Sequence, residues 1–148
     1  MRTTISKNEY MNIYSLVGLA QEVHATLGRG LEEGIYQEAF ELELMEHGKD
    51  FERQKPLHTF YKGHQLKKMY VADLVCDDIV VELKAVSEII SEHRAQLMNY
   101  MRITKSIKGL LINFGEKSLR VERYLYQQDS DDFVLLSEKN LNYYVRKE

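Results

Sequence analysis

Apolar residues recur at helical spacing in the first third of the chain. The pattern predicts a helix from Asn8 to Leu27, with Asn8 as its candidate N-cap. The glycines of the segment 28–30 then interrupt it. A second helix is predicted from Leu31 to His47, ending at Gly48. Two helices joined by so short a connection are expected to pack against each other as a hairpin.

The middle of the chain changes to the residue pattern of β-strands. Strands are predicted over Phe51–Tyr61, Leu66–Val75 and Ile79–Val86, with turns at Lys62–His64 and Cys76–Asp78. A helix over Glu88–Ile103 and strands over Lys108–Phe114 and Leu119–Tyr126 complete the pattern. This order predicts an α/β fold, a mixed central sheet flanked by helices, with the third helix as a crossover.

Length and composition favour one globular domain over other classes of protein. The chain has 148 residues, 44% hydrophobic and 29% charged, which excludes collagen-like and disordered sequences. No linker or repeat divides it, so we expect a single domain over 1–148, with a core at about 9–126 and a C-terminal tail at 127–148 that the pattern does not place.

The location is predicted from what the sequence lacks. No apolar run is long enough to cross a bilayer, and the N-terminus does not resemble a signal peptide. The single cysteine, Cys76, excludes an internal disulfide and an iron–sulfur cluster held by this chain alone. We therefore expect a cytoplasmic protein with no membrane partner.

Charge is distributed unevenly along the chain. The formal net charge is −3 overall, but residues 28–50 carry −5 and residues 51–124 carry +4. The second stretch could present a positive surface to phosphates. Charge alone, however, favours an ordinary solvated surface.

Three charged residues interrupt strands that otherwise read as buried. Glu82 and Lys84 lie two apart and so share a face of their strand, and Asp73 lies in the preceding strand. A hairpin about residues 77–78 would bring Asp73 and Glu82 close together. Because two neighbouring carboxylates repel, a divalent cation such as Mg²⁺ would stabilise them, and Lys84 could orient an attacking water.

The alternative to a metal site is an ion-pair network of these three residues at a sheet edge, without chemistry. For an arbitrary Glu-x-Lys that alternative would be preferred. The additional Asp73, the apolar surroundings and the flanking helices favour the metal site.

Two helices contribute further candidates. Gln96 and Tyr100 lie four apart on the third helix, so they share a face and could bind phosphate or hold the lysine. Taken alone, the pair would be more typical of a core tyrosine with a rim glutamine. Glu33 shares a face of the second helix with Phe40 and Leu44, although the helix dipole also favours an acid there.

These residues together resemble a known family. Asp73, followed after eight residues by Glu82-Leu83-Lys84, resembles the signature of the PD-(D/E)xK nuclease superfamily. The segment 96–100 is similar to the Gln-x-x-x-Tyr motif of its RecB-like branch. The segment 30–36 resembles the motif that names the GxxExxY protein family. The resemblance extends over about residues 9–126.

The resemblance implies a restriction-endonuclease-like core with a divalent cation, Mg²⁺ or Mn²⁺. Its expected metal ligands are Asp73, Glu82, the Leu83 carbonyl and Glu33. The expected catalytic set is Lys84, Glu82, Asp73, Glu33, Gln96 and Tyr100. Lys84 would orient or activate the attacking water, and Gln96 and Tyr100 would position the substrate or the lysine. The implied reaction is metal-dependent hydrolysis of phosphodiester bonds, on DNA in preference to RNA.

Two other functions are consistent with the same residues. One is a non-catalytic nucleic-acid-binding or regulatory module that keeps the nuclease fold. The other is a structural or oligomeric protein whose buried charges form only ion pairs. The aromatic tail, which includes Tyr143 and Tyr144, could cover a homodimer interface or pack on its own core.

Overall fold

A mixed β-sheet of six strands forms the middle layer of the structure, a computed structural model that describes residues 1–147. The strands are β1 (Phe51–Tyr61), β2 (His64–Cys76), β3 (Ile79–Lys84), β4 (Lys108–Asn113), β5 (Arg120–Gln127) and β6 (Asp132–Leu135). The helices are α1 (Lys7–Leu27), α2 (Glu33–Glu46), α3 (Ser91–Thr104) and α4 (Leu141–Tyr144). Among the described residues, no helix is both long and apolar enough to cross a membrane.

The strands lie side by side in chain order, from β1 to β6. All neighbours are antiparallel except β3 and β4, which are parallel. A parallel pair cannot be joined by a tight turn, and α3 makes the required crossover. The predicted α/β fold with a mixed sheet and a crossover helix is therefore confirmed.

The two faces of the sheet are covered by different helices. The larger apolar cluster contains residues of α1 and α2, such as Val17 and Phe40, packed with Leu83 and Ile112 of the sheet. The smaller cluster contains α3 residues, such as Leu97, packed on the opposite face. Coverage on both faces explains why β3 and β4 read as almost continuous apolar runs.

The start of α1 differs from the prediction. The helix is capped by Ser6, not by Asn8, which lies inside it. The Ser6 hydroxyl accepts a hydrogen bond from the Glu9 amide at 3.0 Å, and the Glu9 carboxylate accepts one from the Ser6 amide at 3.0 Å. This reciprocal capping box satisfies two amides at once, an advantage that Asn8 does not offer.

The segment between β3 and α3 is also more irregular than predicted. β3 ends at Lys84 instead of Val86, and α3 begins at Ser91 instead of Glu88. The side chain of Asn113 accepts a hydrogen bond from the Val86 amide and donates one to the Val86 carbonyl. Because both backbone groups of Val86 are used in this way, the chain leaves the sheet there.

The C-terminal tail, which the pattern did not place, completes the sheet and the core. It supplies β6 and α4, and Leu136 is buried. Val145 forms a parallel bridge with Ile5, so the two ends of the described chain meet. Leu141 and Tyr144 pack against the larger apolar cluster. This agrees with the expectation that the tail packs on the core of its own chain.

Gly115 follows β4 at a point of close backbone contact. A Cβ built there would lie 2.2 Å from the Val86 carbonyl oxygen and 2.5 Å from the Val86 nitrogen. Backbone atoms cannot rotate away as a side chain can. Glycine is therefore required where the chain after β4 crosses the chain after β3.

We predict that Gly115→Ala lowers the free energy of unfolding by about 1–3 kcal/mol or more, because the added methyl group forces the two segments apart. The matched control is Gly18→Ala in α1, where a Cβ would meet nothing within 4 Å. That change should raise the free energy of unfolding by up to about 1 kcal/mol, since alanine is the better helix former. Urea denaturation of both variants measures the difference. Equal effects would contradict the assigned contact.

Candidate active site

The candidate site lies where β2 and β3 separate. Their backbone pairing runs from Cys76 and Ile79 to Leu74 and Val81 and then stops. The next residue on each strand is acidic, Asp73 on β2 and Glu82 on β3. Beyond this point β2 still pairs with β1, and β3 still pairs with β4.

Side chains replace the missing backbone pairing at this fork. The Asp73 amide donates to Glu82 Oε2 at 2.7 Å, and the Leu83 amide donates to Asp73 Oδ2 at 2.8 Å. Each carboxylate thus satisfies a backbone amide on the opposite strand. The arrangement fixes Asp73 and Glu82 side by side, as the predicted hairpin requires. We call these two residues the carboxylate pair.

One oxygen of each carboxylate is left without a protein partner. Within residues 1–147, Asp73 Oδ1 and Glu82 Oε1 make no hydrogen bond. No buried side-chain nitrogen or oxygen among those residues lacks a partner, so both oxygens reach solvent. The pair therefore offers two acceptor oxygens without a protein partner, while hydrogen bonds to the backbone hold the other oxygen of each carboxylate.

The electrostatics of the pair are unfavourable without a cation. Glu82 is only 2% exposed, and its burial, together with the nearby Asp73 charge, raises its pKa to about 8. Burial also raises the pKa of Asp73, against the opposing effects of the Leu83 amide and the Lys84 charge. Desolvation and mutual repulsion thus favour a proton or a metal ion at this position.

Lys84 is held by α3 and not by the carboxylates. Its Nζ donates to Gln96 Oε1 at 2.8 Å, and Gln96 Nε2 donates to the Tyr100 hydroxyl at 3.2 Å. No ion pair joins Lys84 to Asp73 or Glu82 among the described residues, and β3 is a central strand. The alternative of an ion-pair network at a sheet edge therefore does not describe this arrangement.

The loop before α2 positions Glu33. Gly30 has a φ of 105°, and the Tyr36 hydroxyl donates to the Gly28 carbonyl at 2.6 Å and accepts from the Leu31 amide at 3.1 Å. The Tyr36 ring stacks on Phe114 with 4.8 Å between centroids. These contacts close the loop, so that α2 begins at Glu33.

Glu33 faces the carboxylate pair from outside the sheet. The residue is exposed overall, but partial burial of its carboxyl group and the nearby Asp73 charge raise its pKa, while Lys84 acts in the opposite direction. Within residues 1–147, Glu33 does not join the pair in a group of three acidic, histidine or cysteine side chains that could hold a metal ion.

Two glutamines that the sequence analysis did not single out hold the backbone of Asp73 through hydrogen bonds. Gln37, buried in α2, donates from Nε2 to the Asp73 carbonyl at 3.2 Å. Gln54 donates in turn to Gln37 Oε1 at 3.2 Å, and its backbone has a φ of 47° opposite Asp73. A buried amide on the apolar face of a helix was the available signal, since such a group needs a partner.

A second unpredicted group holds α3 in place. Arg94 of α3 donates from Nε and Nη2 to the two carboxylate oxygens of Glu122 on β5, at 2.8 and 2.9 Å. The Tyr124 hydroxyl donates to Glu122 Oε1 at 2.6 Å. Glu122 is only 4% exposed, so the pair anchors the helix that carries Gln96.

The donor set fits a hard divalent cation. Mg²⁺ is commonly bound through one or two carboxylates, with water and substrate phosphate completing its coordination. The carboxylate pair supplies two free oxygens in a site where the anions repel each other. Leu83 follows Glu82 on β3, and its amide is already bonded to Asp73.

Comparison with protein-family models gives a match. A family model described as the PD-(D/E)XK nuclease superfamily matches residues 11–124, well over half of the chain. The matched region includes every candidate residue from Glu33 to Tyr100. The six-strand mixed sheet flanked by helices is consistent with the restriction-endonuclease-like fold of that superfamily. No curated protein and no solved structure matches significantly.

The first prediction for the site concerns Asp73. Asp73→Asn keeps an oxygen that can accept from the Leu83 amide and removes one of two repelling charges. We expect it to raise the free energy of unfolding of the metal-free protein, because it removes the charge that helps to raise the pKa of Glu82. Asp73→Ala also leaves that amide unpaired, which costs about 1–3 kcal/mol. Denaturation in EDTA should therefore rank Asp73→Asn above both the wild type and Asp73→Ala. An Asp73→Asn protein less stable than the wild type would refute the repulsion, and one less stable than Asp73→Ala would refute the hydrogen bond from the Leu83 amide.

The second prediction concerns pH. The pKa of Glu82 is raised in the folded protein, so protonated Glu82 stabilises the folded state relative to the unfolded one. This stabilisation is complete below the unfolded-state pKa of about 4.5. This contribution is lost as pH rises through about 8. The metal-free protein should lose stability between about pH 5 and pH 8. Glu82→Gln should flatten this dependence, as measured by urea denaturation across the range.

Glu122→Gln is the control for the pH experiment. Its hydrogen bonds from Arg94 lower the pKa of Glu122 to about 2. Its contribution is therefore present above its unfolded-state pKa and is lost as pH falls toward about 2. Glu122→Gln should change the acid side of the profile and leave the slope above about pH 5 unchanged. If Glu82→Gln left the loss of stability between about pH 5 and pH 8 unchanged, that loss could not be assigned to the raised pKa of Glu82.

Proposed function

The chain belongs to the PD-(D/E)XK nuclease superfamily, and from that premise we propose that it is a nuclease that requires a divalent cation. The observation that carries the proposal is the carboxylate pair, two adjacent acidic side chains that each present a free oxygen next to a positioned lysine. We propose Mg²⁺ or Mn²⁺ as the cation and DNA in preference to RNA as the substrate.

Asp73 and Glu82 would hold the cation, with the Leu83 carbonyl and Glu33 as further ligands, Glu33 through water. When bound, the cation polarises the scissile phosphate and lowers the pKa of a coordinated water. The frame that holds the two carboxylates consists of their hydrogen bonds to the opposite strand and of Gln37 behind Asp73. This preorganisation favours the geometry of the reaction over that of the solvated reactants.

Lys84 would orient the attacking water and stabilise negative charge on the phosphate. Its ammonium donates one hydrogen bond to Gln96, which leaves two further N–H groups for the water and the phosphate. Tyr100 bonds to Gln96 and so fixes the amide, and Arg94 fixes the helix that carries both. Gln96 and Tyr100 thus act on the reaction through the lysine.

We further propose that the chain belongs to the GxxExxY family and to the RecB-like branch. The loop geometry supports the first assignment, because Gly30 and Tyr36 shape the loop before α2, and Glu33 begins the helix near the charge of Asp73. The hydrogen bond from Lys84 to Gln96, and that from Gln96 to Tyr100, support the second. A cytoplasmic location and a homodimer remain predictions from the sequence.

A second candidate function is a nucleic-acid-binding or regulatory module without catalysis. It is favoured by one observation: Glu33 does not join the carboxylate pair in a three-residue metal-binding group in the described part of the chain. A module of this kind would bind nucleic acid without hydrolysing it.

The test is a cleavage assay on plasmid DNA, single-stranded DNA and RNA in Mg²⁺, Mn²⁺ or EDTA. We expect cleavage in either metal and none in EDTA. Asp73→Asn and Lys84→Met should each reduce the rate by about 10²-fold or more, because they remove a metal ligand and the group that orients the water. The matched control is Lys139→Ala, which removes an exposed lysine of the C-terminal tail and should retain the cleavage rate.

Calorimetric titration with Mn²⁺ separates the two candidate functions. Metal binding that Asp73→Asn removes, together with metal-dependent cleavage, would establish the nuclease. A folded wild type that binds DNA but neither binds metal nor cleaves any substrate would favour the non-catalytic module.

A further inference from the structure

The strands β1 and β2 continue beyond the sheet core as a two-stranded arm. Leu57 and Ala72 are the last buried residues on the two strands. On β2, every residue from 64 to 71 is exposed. We call residues 58–71 the arm. A hairpin that buries so little apolar surface contributes little to stability, so its side chains are available for another purpose.

The composition of the arm is distinct from the rest of the molecule. It contains Lys62, Lys67 and Lys68 and no acidic residue, although the chain as a whole has a net charge of −3. Phe60 and Tyr61 are 63% and 61% exposed. Exposed aromatic rings interleaved with lysines have the composition of a surface that binds an unpaired nucleic-acid strand.

The backbone of the arm displays these side chains outward. Lys62 and Gly63 at the tip have φ values of 46° and 81°, the signs required by a type I′ turn. Between the pairs His58–Met69 and Phe60–Gln65, β2 has three residues where β1 has one. This bulge contains Lys67 and Lys68 and removes them from the regular ladder.

The base of the arm leads to the candidate active site. Tyr70, 38% exposed, lies against Tyr100 with 5.9 Å between ring centroids. Tyr100 is bonded to Gln96, and Gln96 to Lys84. Tyr70, Gln96, Asn99 and Tyr100 line an open cleft of about 360 Å³. A chain of side-chain contacts from Tyr70 through Tyr100 and Gln96 thus connects the base of the arm and the cleft with Lys84.

We propose that the arm binds single-stranded nucleic acid and guides it to the carboxylate pair. Bases stack on Phe60, Tyr61 and Tyr70, while the lysines of the arm contact phosphates. A duplex keeps its base faces covered, so only an unpaired strand can use exposed rings in this way. The inference rests on the proposed nuclease function, since it names the substrate class of that site. The charge of the arm favours a polyanion over an apolar protein surface.

Fluorescence anisotropy in EDTA tests the arm separately from catalysis. The probes are a labelled single-stranded DNA of about 16 nucleotides and its duplex. We expect the wild type to bind the single strand more tightly. Phe60→Ala/Tyr61→Ala should weaken that binding by about tenfold or more. Lys67→Ala/Lys68→Ala should reduce the magnitude of the salt-dependence slope by about 1.4, the value for two phosphate contacts.

Matched controls keep the test decisive. Lys7→Ala/Lys139→Ala removes the same charge from exposed sites outside the arm, and Tyr14→Ala removes an exposed aromatic ring from α1. Both should bind as the wild type does, and circular dichroism checks the fold of every variant. Preference for the duplex, equal losses in arm and control variants, or binding that resists the arm substitutions would each overturn the proposal.

The same samples distinguish this inference from the proposed nuclease function. Arm-dependent binding in EDTA without cleavage in Mn²⁺ would refute the nuclease and support the arm. Cleavage in Mn²⁺ with equal rates for arm and control variants would support the nuclease and refute the arm. Binding to anionic lipid vesicles that the arm substitutions weaken, without binding to the oligonucleotide, would also refute the proposal.

Discussion

The reciprocal hydrogen bonds between Asp73 and Glu82 and the opposing backbone amides are the constraint on which the site depends. Two antiparallel strands can separate inside a sheet only if the freed amides find other partners. Here the partners are acidic side chains, so the fork that opens the site also orients its two carboxylates. The fork in the sheet and the candidate chemistry therefore depend on the same four groups, the carboxylates of Asp73 and Glu82 and the amides of Asp73 and Leu83.

The layers on both sides of the sheet complete this fork. The helix α2 brings Gln37 to the Asp73 carbonyl and places Glu33 near the pair. From the other face, α3 brings Gln96 to Lys84, and its own position is fixed by the ion pair of Arg94 with the buried Glu122. The distance between charges in the site is thus controlled by how two separate helices pack on one sheet.

Periodicity predicted most of the fold because buried faces enforce it. The first three helices, the first five strands and the crossover follow from repeats of apolar residues, and the juxtaposition of Asp73 and Glu82 follows from a tight turn. The strand β6 was missed because it is short and only half-buried. The support from Gln54 could not be predicted, since it depends on a backbone with positive φ and on packing between distant segments.

The order of strands in the sheet has a consequence for folding. Because β1 to β6 lie in chain order, most pairings join neighbours in sequence, and such local topologies fold rapidly. The contact between Asp73 and Glu82 spans only nine residues, and that between Lys84 and Gln96 only twelve. The bridge between Ile5 and Val145 closes almost the whole chain. The reactive centre can therefore assemble within a small local unit, and the ends of the chain can join it afterwards at the greatest cost in loop-closure entropy.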